Sequence, residues 1–318
     1  MIISTHGHIT HKNCSSDKFY EYYANVISKA MNLTKEVIYE KVLPLLYACN
    51  AEAHVQAMEE AGIDKSLIMA VDFGMNPDVG EAKWSIEEIN EWVVKEAEQY
   101  PDKLYSLCAV DPRRGEKAVK LVEKAVTEWG MKGVKFHPTA GYYPDDPAFF
   151  PLYEKCVELD VPVCSHTAAL ISAPFMSKYA DPIYLDTLAA KFPDLKILMI
   201  HFGSLSYTMK CVEIMVSRPN IYAEISGYQA QALIMPDSFL KTLRYIFDTP
   251  AFLGSAVKDR LMFGTDWPYL ESLMDQKSWV EWVKNIPEAA KQYGLKFKQR
   301  EIKNLLEKNA EKFLNLKA

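Results

Sequence analysis

Short apolar runs alternate with amphipathic stretches along nearly the whole chain. The runs cover residues 2–8, 66–73, 104–112, 133–138, 161–167, 196–203, 221–227 and 261–268. Near-continuous apolar runs of this length are what strands covered on both faces require. Apolar residues recur at helical spacing near 51–62, 84–100, 115–129, 147–159, 181–192, 206–217, 236–247 and 276–285. Eight strands alternating with eight helices predict parallel pairing and right-handed crossovers. A closed (β/α)8 TIM barrel fits that count. A doubly wound open sheet is the rival, but no GxGxxG or GxxxxGK follows any of the runs. Residues 9–50 read as a long insertion after strand one, rich in aromatics (Phe19, Tyr20, Tyr22, Tyr23), and 298–313 as a terminal helix. No linker or low-complexity segment divides the chain, so 1–318 is read as one domain.

Composition removes several classes of function. The net charge of −6 offers no basic footprint for nucleic acid. No run of 18 apolar residues is present to cross a membrane, and Met1-Ile2-Ile3-Ser4 lacks the basic start of a signal peptide. Six cysteines are scattered without a CxxC pair, which argues against a disulfide scaffold or a cysteine zinc site. The expectation is a cytoplasmic protein with reduced thiols, acting on a small molecule. Its apolar loops leave a homo-oligomer open, of undefined order.

Five of the seven histidines fall at or near the C-terminal ends of the expected strands: His6, His8, His137, His166 and His201. Asp266 takes the same place on the eighth. In a barrel that end carries the active site. Residues i and i+2 of a strand point the same way, so His6-Gly7-His8 aims two imidazoles into one mouth. With His166 and Asp266 they form a nitrogen and oxygen set suited to a divalent metal, most simply Zn²⁺. His201 is either a further ligand or an acid/base. Lys135 and His137 share one face of strand four and are assigned to substrate binding. Lys135 has three readings: a cation for a substrate carboxylate, a carbamylated bridge between two metals, or the partner of a buried acid. Glu224 reads as a supporting carboxylate, and His11 and His54 as packing or surface histidines.

Taken in order, these motifs resemble the amidohydrolase superfamily, in the branch that holds the aminocarboxymuconate semialdehyde and resorcylate decarboxylases. The resemblance rests on His6-Gly7-His8, Gly133-Val134-Lys135-Phe136-His137-Pro138, Ser165-His166-Thr167, His201-Phe202-Gly203, Gly264-Thr265-Asp266-Trp267-Pro268 and the closing Asn309-Ala310-Glu311-Lys312-Phe313-Leu314. It implies a (β/α)8 barrel with one metal held by His6, His8, His166 and Asp266, and His201 as a catalytic acid/base beside Asp266. The residues of a two-metal site, with carbamylated Lys135 bridging and His201 as ligand, are also present. One departure stands out: the branch usually has Asp two residues before the first histidine, and here that residue is Ser4. Loss of that carboxylate would leave part of the ligand shell less well oriented.

Two reactions fit such a site. In hydrolysis, metal-activated water attacks a small amide, ester or lactone, cyclic or open-chain. In decarboxylation, the metal holds an aromatic or unsaturated acid while a proton replaces CO₂. Carboxylates are best gripped by arginine forks. No arginine precedes Arg113, and Arg218, Arg244 and Arg260 fall in helices or before strand eight. Hydrolysis is therefore ranked first, decarboxylation second, and a barrel that binds metal or ligand without turnover third. Tyr142-Tyr143, the 19–23 cluster and the 168–179 loop with Phe175 and Met176 pack insertions onto the barrel or form a dimer contact, the reading ranked first, or else give an aromatic pocket for a small cyclic substrate.

Overall fold

The computed structural model describes residues 1–169 and 173–315, so positions 170–172 of the 168–179 loop lie outside the described residues. Strands β1 (Ile3–His8), β2 (Lys65–Met69), β3 (Leu104–Ala109), β4 (Val134–Phe136), β5 (Val163–His166), β6 (Ile197–Ile200), β7 (Ile221–Glu224) and β8 (Leu261–Met262) form one sheet in sequence order. Every neighbouring pair is parallel. The chain just past β8 bonds back to β1: Thr5 N–H donates to Phe263 O at 2.9 Å and His8 N–H to Trp267 O at 2.6 Å. The sheet thus curls round until its two ends meet, as the alternating pattern predicts.

The helices also fall on the expected stretches. Asn50 caps Ala51–Ala61, which stops at Gly62, and Ser85 with Glu88 forms a capping box on Ile86–Glu98. Apolar faces of these helices and the outward faces of the strands share one large buried cluster. A second cluster fills the barrel: Ile3, Leu67, Leu198 and Met262 pack against Ala310 and Phe313 of the terminal helical segment, which closes the lower end. The insertion is largely helical. Ser16 caps Asp17–Met31, accepting a hydrogen bond from Phe19 N–H, and this helix buries Phe19, Tyr20 and Ala24.

One irregularity in β1 decides which residues reach the site. Ser4 pairs with Ser66 but Gly7 pairs with Ile68, so β1 carries one extra residue between them. Strict alternation cannot place Ile3, His6 and His8 on one face. The extra residue shifts the phase, so Ile3 points into the lower barrel while both histidines point into the mouth. Gly7 consequently faces outward, where a Cβ would stand 3.0 Å from the ring of His54.

Candidate active site

The inner face of each strand changes character on the way up. Cys164 precedes His166, Tyr222 precedes Glu224, and Met262 leads to Asp266. The upper residues meet on the floor of a cavity of about 290 Å³ lined by His6, His8, Lys135, His137, His166, His201 and Asp266. All the residues assigned from sequence to metal, substrate or catalysis therefore converge. The walls above are apolar. Phe19, Tyr23, Val26 and Ile27 come from the insertion helix, Val71 and Phe73 follow β2, and Phe175 follows β5. Tyr20, Tyr22, Tyr142 and Met176 are absent from these walls; Tyr142 lies beneath the Arg113 guanidinium instead.

Distances on the floor single out a tight group. His6 Nε2 and His8 Nε2 stand 2.9 Å apart, and each is 3.5 Å from Asp266 Oδ1. His201 offers a donor atom within 4.8 Å of those of His6 and Asp266. Donors bonded at about 2.0–2.2 Å to a common ion stand roughly 2.9–3.5 Å apart, depending on the bond angle. His8 Nδ1 lies 3.0 Å from the carbonyl of Met69, which can only accept, so Nδ1 carries the proton and Nε2 faces the floor as a lone pair. Such a bond from the second ring nitrogen to a carbonyl is the usual support of a metal-binding histidine. The group therefore suits a divalent cation.

His166 is held differently from the expected ligand. Its Nε2 donates to Ala168 O at 2.8 Å, leaving Nδ1 as the available lone pair. The ring stacks on His137 with centroids 4.1 Å apart and meets His201 edge-on at 4.8 Å. His137 Nδ1 is 2.7 Å from Thr139 Oγ1. His54 and His11 lie outside the site, as expected: His54 is buried against Trp267, and His11 stacks on Trp84.

Burial shapes the electrostatics. It keeps His6, His137 and His166 well below the usual imidazole value, lowers His8, and takes His201 to about 4. The imidazoles are thus neutral, as ligation requires. Burial lowers Lys135 to about 8 against the opposing pull of Asp266, and raises Glu224 to about 7 against the N–H groups of Ser226 and His201. Lys135 Nζ is 3.4 Å from His6 Nε2. Of the arginines, Arg113 pairs with Asp111 and Arg114 with Asp72 and Glu81. Neither lines the cavity among the described residues.

The backbone is strained where the chemistry sits. His201 and Phe202 have φ of 70° and 42°, and Asp266 has φ of 58°. Left-handed non-glycine residues cost about 1–3 kcal/mol each and persist where surroundings over-determine them. Here Glu224 Oε1 accepts His201 N–H at 2.7 Å, and Asp266 N–H donates to His6 O at 3.0 Å. A Cβ on Gly264 would collide with the Glu224 carboxylate, so only glycine lets β8 pass. Ser4, in place of the branch's usual Asp, donates to His6 O and meets Thr265 Oγ1 at 3.2 Å. The orienting groups for His6 come from β7 instead: Ser226 Oγ at 3.1 Å and Glu224 Oε1 at 3.3 Å from Nδ1. Sequence reasoning missed Ser226 and the Met69 carbonyl, because both act across strands far apart in the chain.

The fold and this floor define a class of barrel enzyme. The chain belongs to the amidohydrolase family: the family model described as Amidohydrolase matches residues 6–316. Within it the chain sits with the aminocarboxymuconate semialdehyde decarboxylase branch, as the motif order implies. It is 21% identical over 286 residues to 2-amino-3-carboxymuconate-6-semialdehyde decarboxylase of Dictyostelium discoideum, covering 83% of this chain and 76% of that one. It is 23% identical over 228 residues to 2-keto-4-carboxy-3-hexenedioate hydratase of Sphingobium sp., covering 64% of this chain and 65% of the hydratase. The crystal structure of 5-carboxyvanillate decarboxylase from Novosphingobium aromaticivorans, with manganese and 4-hydroxy-3-methoxy-5-nitrobenzoic acid, is similar in fold. Its TM-score is 0.66 at 17% identity, over 99% of this chain and 96% of that one. No helix among the described residues is long and apolar enough to cross a membrane.

Proposed function

We propose that this protein is a metal-dependent decarboxylase of small carboxylic acids with an apolar, ring-like body. The observation that carries the proposal is Lys135. Its ammonium is buried on the floor, and no carboxylate among the described residues lies within ion-pair reach of Nζ. A buried cation without an anion is costly. A substrate carboxylate removes that cost, whereas a neutral ester or amide leaves it in place. Missing arginines rank hydrolysis first from sequence, but one carboxylate needs only one cation. Their absence weighs against a second carboxylate, and the apolar walls agree. The relatives named decarboxylases support the same order, with the hydratase as a reminder that the branch is not uniform.

His6, His8 and Asp266 would hold a divalent ion, with His201 as a further donor and Nδ1 of His166 as another free lone pair of the floor. When bound, such an ion anchors substrate oxygens and withdraws charge from the attached carbon skeleton. Lys135 holds the carboxylate in one orientation by charge. Asp266 and His201 are placed to take the proton of a substrate hydroxyl and hand it to the carbon that bears the carboxylate. That carbon takes the proton with a π pair. The C–C bond then breaks, its pair restores the unsaturation, and CO₂ leaves. Phe19, Phe73 and Phe175 keep the planar body dry and in place.

Hydrolysis of a small ester, lactone or amide is the second reading, favoured by the unprotonated acceptors of the floor, which can take a proton from water. A panel of hydroxybenzoic and enoic acids, run beside esters, lactones and amides on metal-loaded protein, separates the two. CO₂ release that a chelator abolishes is the expected result. Metal-dependent hydrolysis with inert acids contradicts the proposal. Bound metal without turnover on either panel favours the non-catalytic reading.

A further inference from the structure

We infer that Ser226 is a positioning residue whose single hydroxyl proton fixes the protons of two imidazoles, His6 and His201, so that both turn a bare Nε2 to the floor. The inference rests on the metal-dependent reading of that floor.

Ser226 is fully buried and meets three groups at once. Its Oγ lies 2.7 Å from Glu224 Oε1, 2.8 Å from His201 Nδ1 and 3.1 Å from His6 Nδ1. A hydroxyl has one proton to give and two lone pairs to receive. Three contacts therefore have one complete solution in which it donates once and accepts twice.

Glu224 decides which contact takes the proton. Its carboxylate already receives two backbone donors, His201 N–H at 2.7 Å and Ser226 N–H at 2.5 Å. In its ionised form the carboxylate can only accept, so Ser226 O–H donates to it. The two lone pairs of Oγ are then left for His6 and His201, each of which must donate from Nδ1. Neither ring then has a proton for Nε2.

The outcome joins up with β2. His8 gives its Nδ1 proton to Met69 O, so His6 and His8 present two bare Nε2 atoms 2.9 Å apart, with Asp266 Oδ1 at 3.5 Å from both. Lone pairs so close repel unless a cation lies between them. One serine thus prepares the ligand set from the Nδ1 side of two rings. It also sets His201 to start the cycle as a proton acceptor rather than a donor.

The test uses full-length, metal-free protein labelled with ¹⁵N-histidine. Long-range ¹H–¹⁵N correlation tells a protonated ring nitrogen from a bare one, and His6→Asn and His201→Asn variants assign the signals. Wild type is expected to show protonated Nδ1 and bare Nε2 in both rings. Ser226→Ala is expected to let at least one ring adopt the other tautomer and to weaken Mn²⁺ binding by about 10–100-fold. Ser226→Thr, which keeps the hydroxyl, is expected to retain the wild-type tautomers. A proton on Nε2 of His201 or His6 in the wild type overturns the inference whether or not the variants fold. So does a Ser226→Ala protein with both tautomers and Mn²⁺ affinity unchanged.

Discussion

The two ends of the barrel are built by the same strands and do opposite things. Below, Ile3, Leu67, Leu198 and Met262 meet Phe313 in an apolar core, against which the rings of Tyr105 and Tyr222 pack. Above, the same strands carry His6, His8, Lys135, His166 and Glu224, and the chain past β8 adds Asp266. The lower end gains from burial, at about 25 cal/mol per Å² of apolar surface. The upper end spends burial on desolvated imidazoles, an unpaired ammonium and left-handed residues. Stability and chemistry are thus separated along the strand axis, and the extra residue in β1 is what lets one strand serve both.

That contrast can be broken from either side. The largest effect is expected from His201→Ala, which should lower kcat by roughly 10²–10⁴-fold with little change in unfolding midpoint if the group serves the proposed proton transfer. Steady-state kinetics beside denaturant unfolding checks both halves. At the other end, Phe313→Ala should cost about 3–5 kcal/mol of stability and leave activity per folded molecule unchanged. An equal loss of kcat from Phe313→Ala would mean that the ends are coupled.

Acid should strain the upper end. His54 and His201 are held by burial to about 3 and 4, and the other floor histidines are lowered as well. The unfolded chain takes up protons on these groups below about pH 6.5, and the folded chain does not. Their neutral forms therefore favour folding above that pH, and the advantage is lost as pH falls from 6.5 toward 4. Denaturant midpoints of metal-free protein should drop between pH 7 and 5. His54→Gln should flatten that slope while leaving metal content unchanged, because His54 lies behind β1 and off the floor. A smaller effect is expected on the walls. Ile27→Arg should improve the relative binding of a benzene-1,3-dicarboxylate by about tenfold, the value of one added charge-assisted bond. Calorimetry against benzoate would show whether the ratio moves.

Much of this was legible in the sequence, and the reason is local. Strands buried on both faces leave apolar runs, and the helices between them keep a period near 3.6, so the eight-fold alternation and the parallel barrel follow from pattern alone. Strand-end histidines are equally local, and His6, His8, His201 and Asp266 do meet. What stayed hidden depends on contacts between distant segments. Nothing near Ser226 marks its reach to His6, and nothing near His166 marks the bond from its Nε2 to Ala168 O. The phase shift in β1 is invisible because Ile3, His6 and His8 are each reasonable strand residues. The choice among the Lys135 alternatives turns on its neighbours from other strands, which no local pattern records.

The most direct measurement is metal binding at the floor. Chelated wild-type protein titrated with Mn²⁺ or Zn²⁺ should take up about one ion per chain. The His6→Ala/His8→Ala double variant should take up none at the same concentrations while remaining folded. Equal uptake by the two proteins would show that these imidazoles do not hold the ion, and the account of the floor would fail with them.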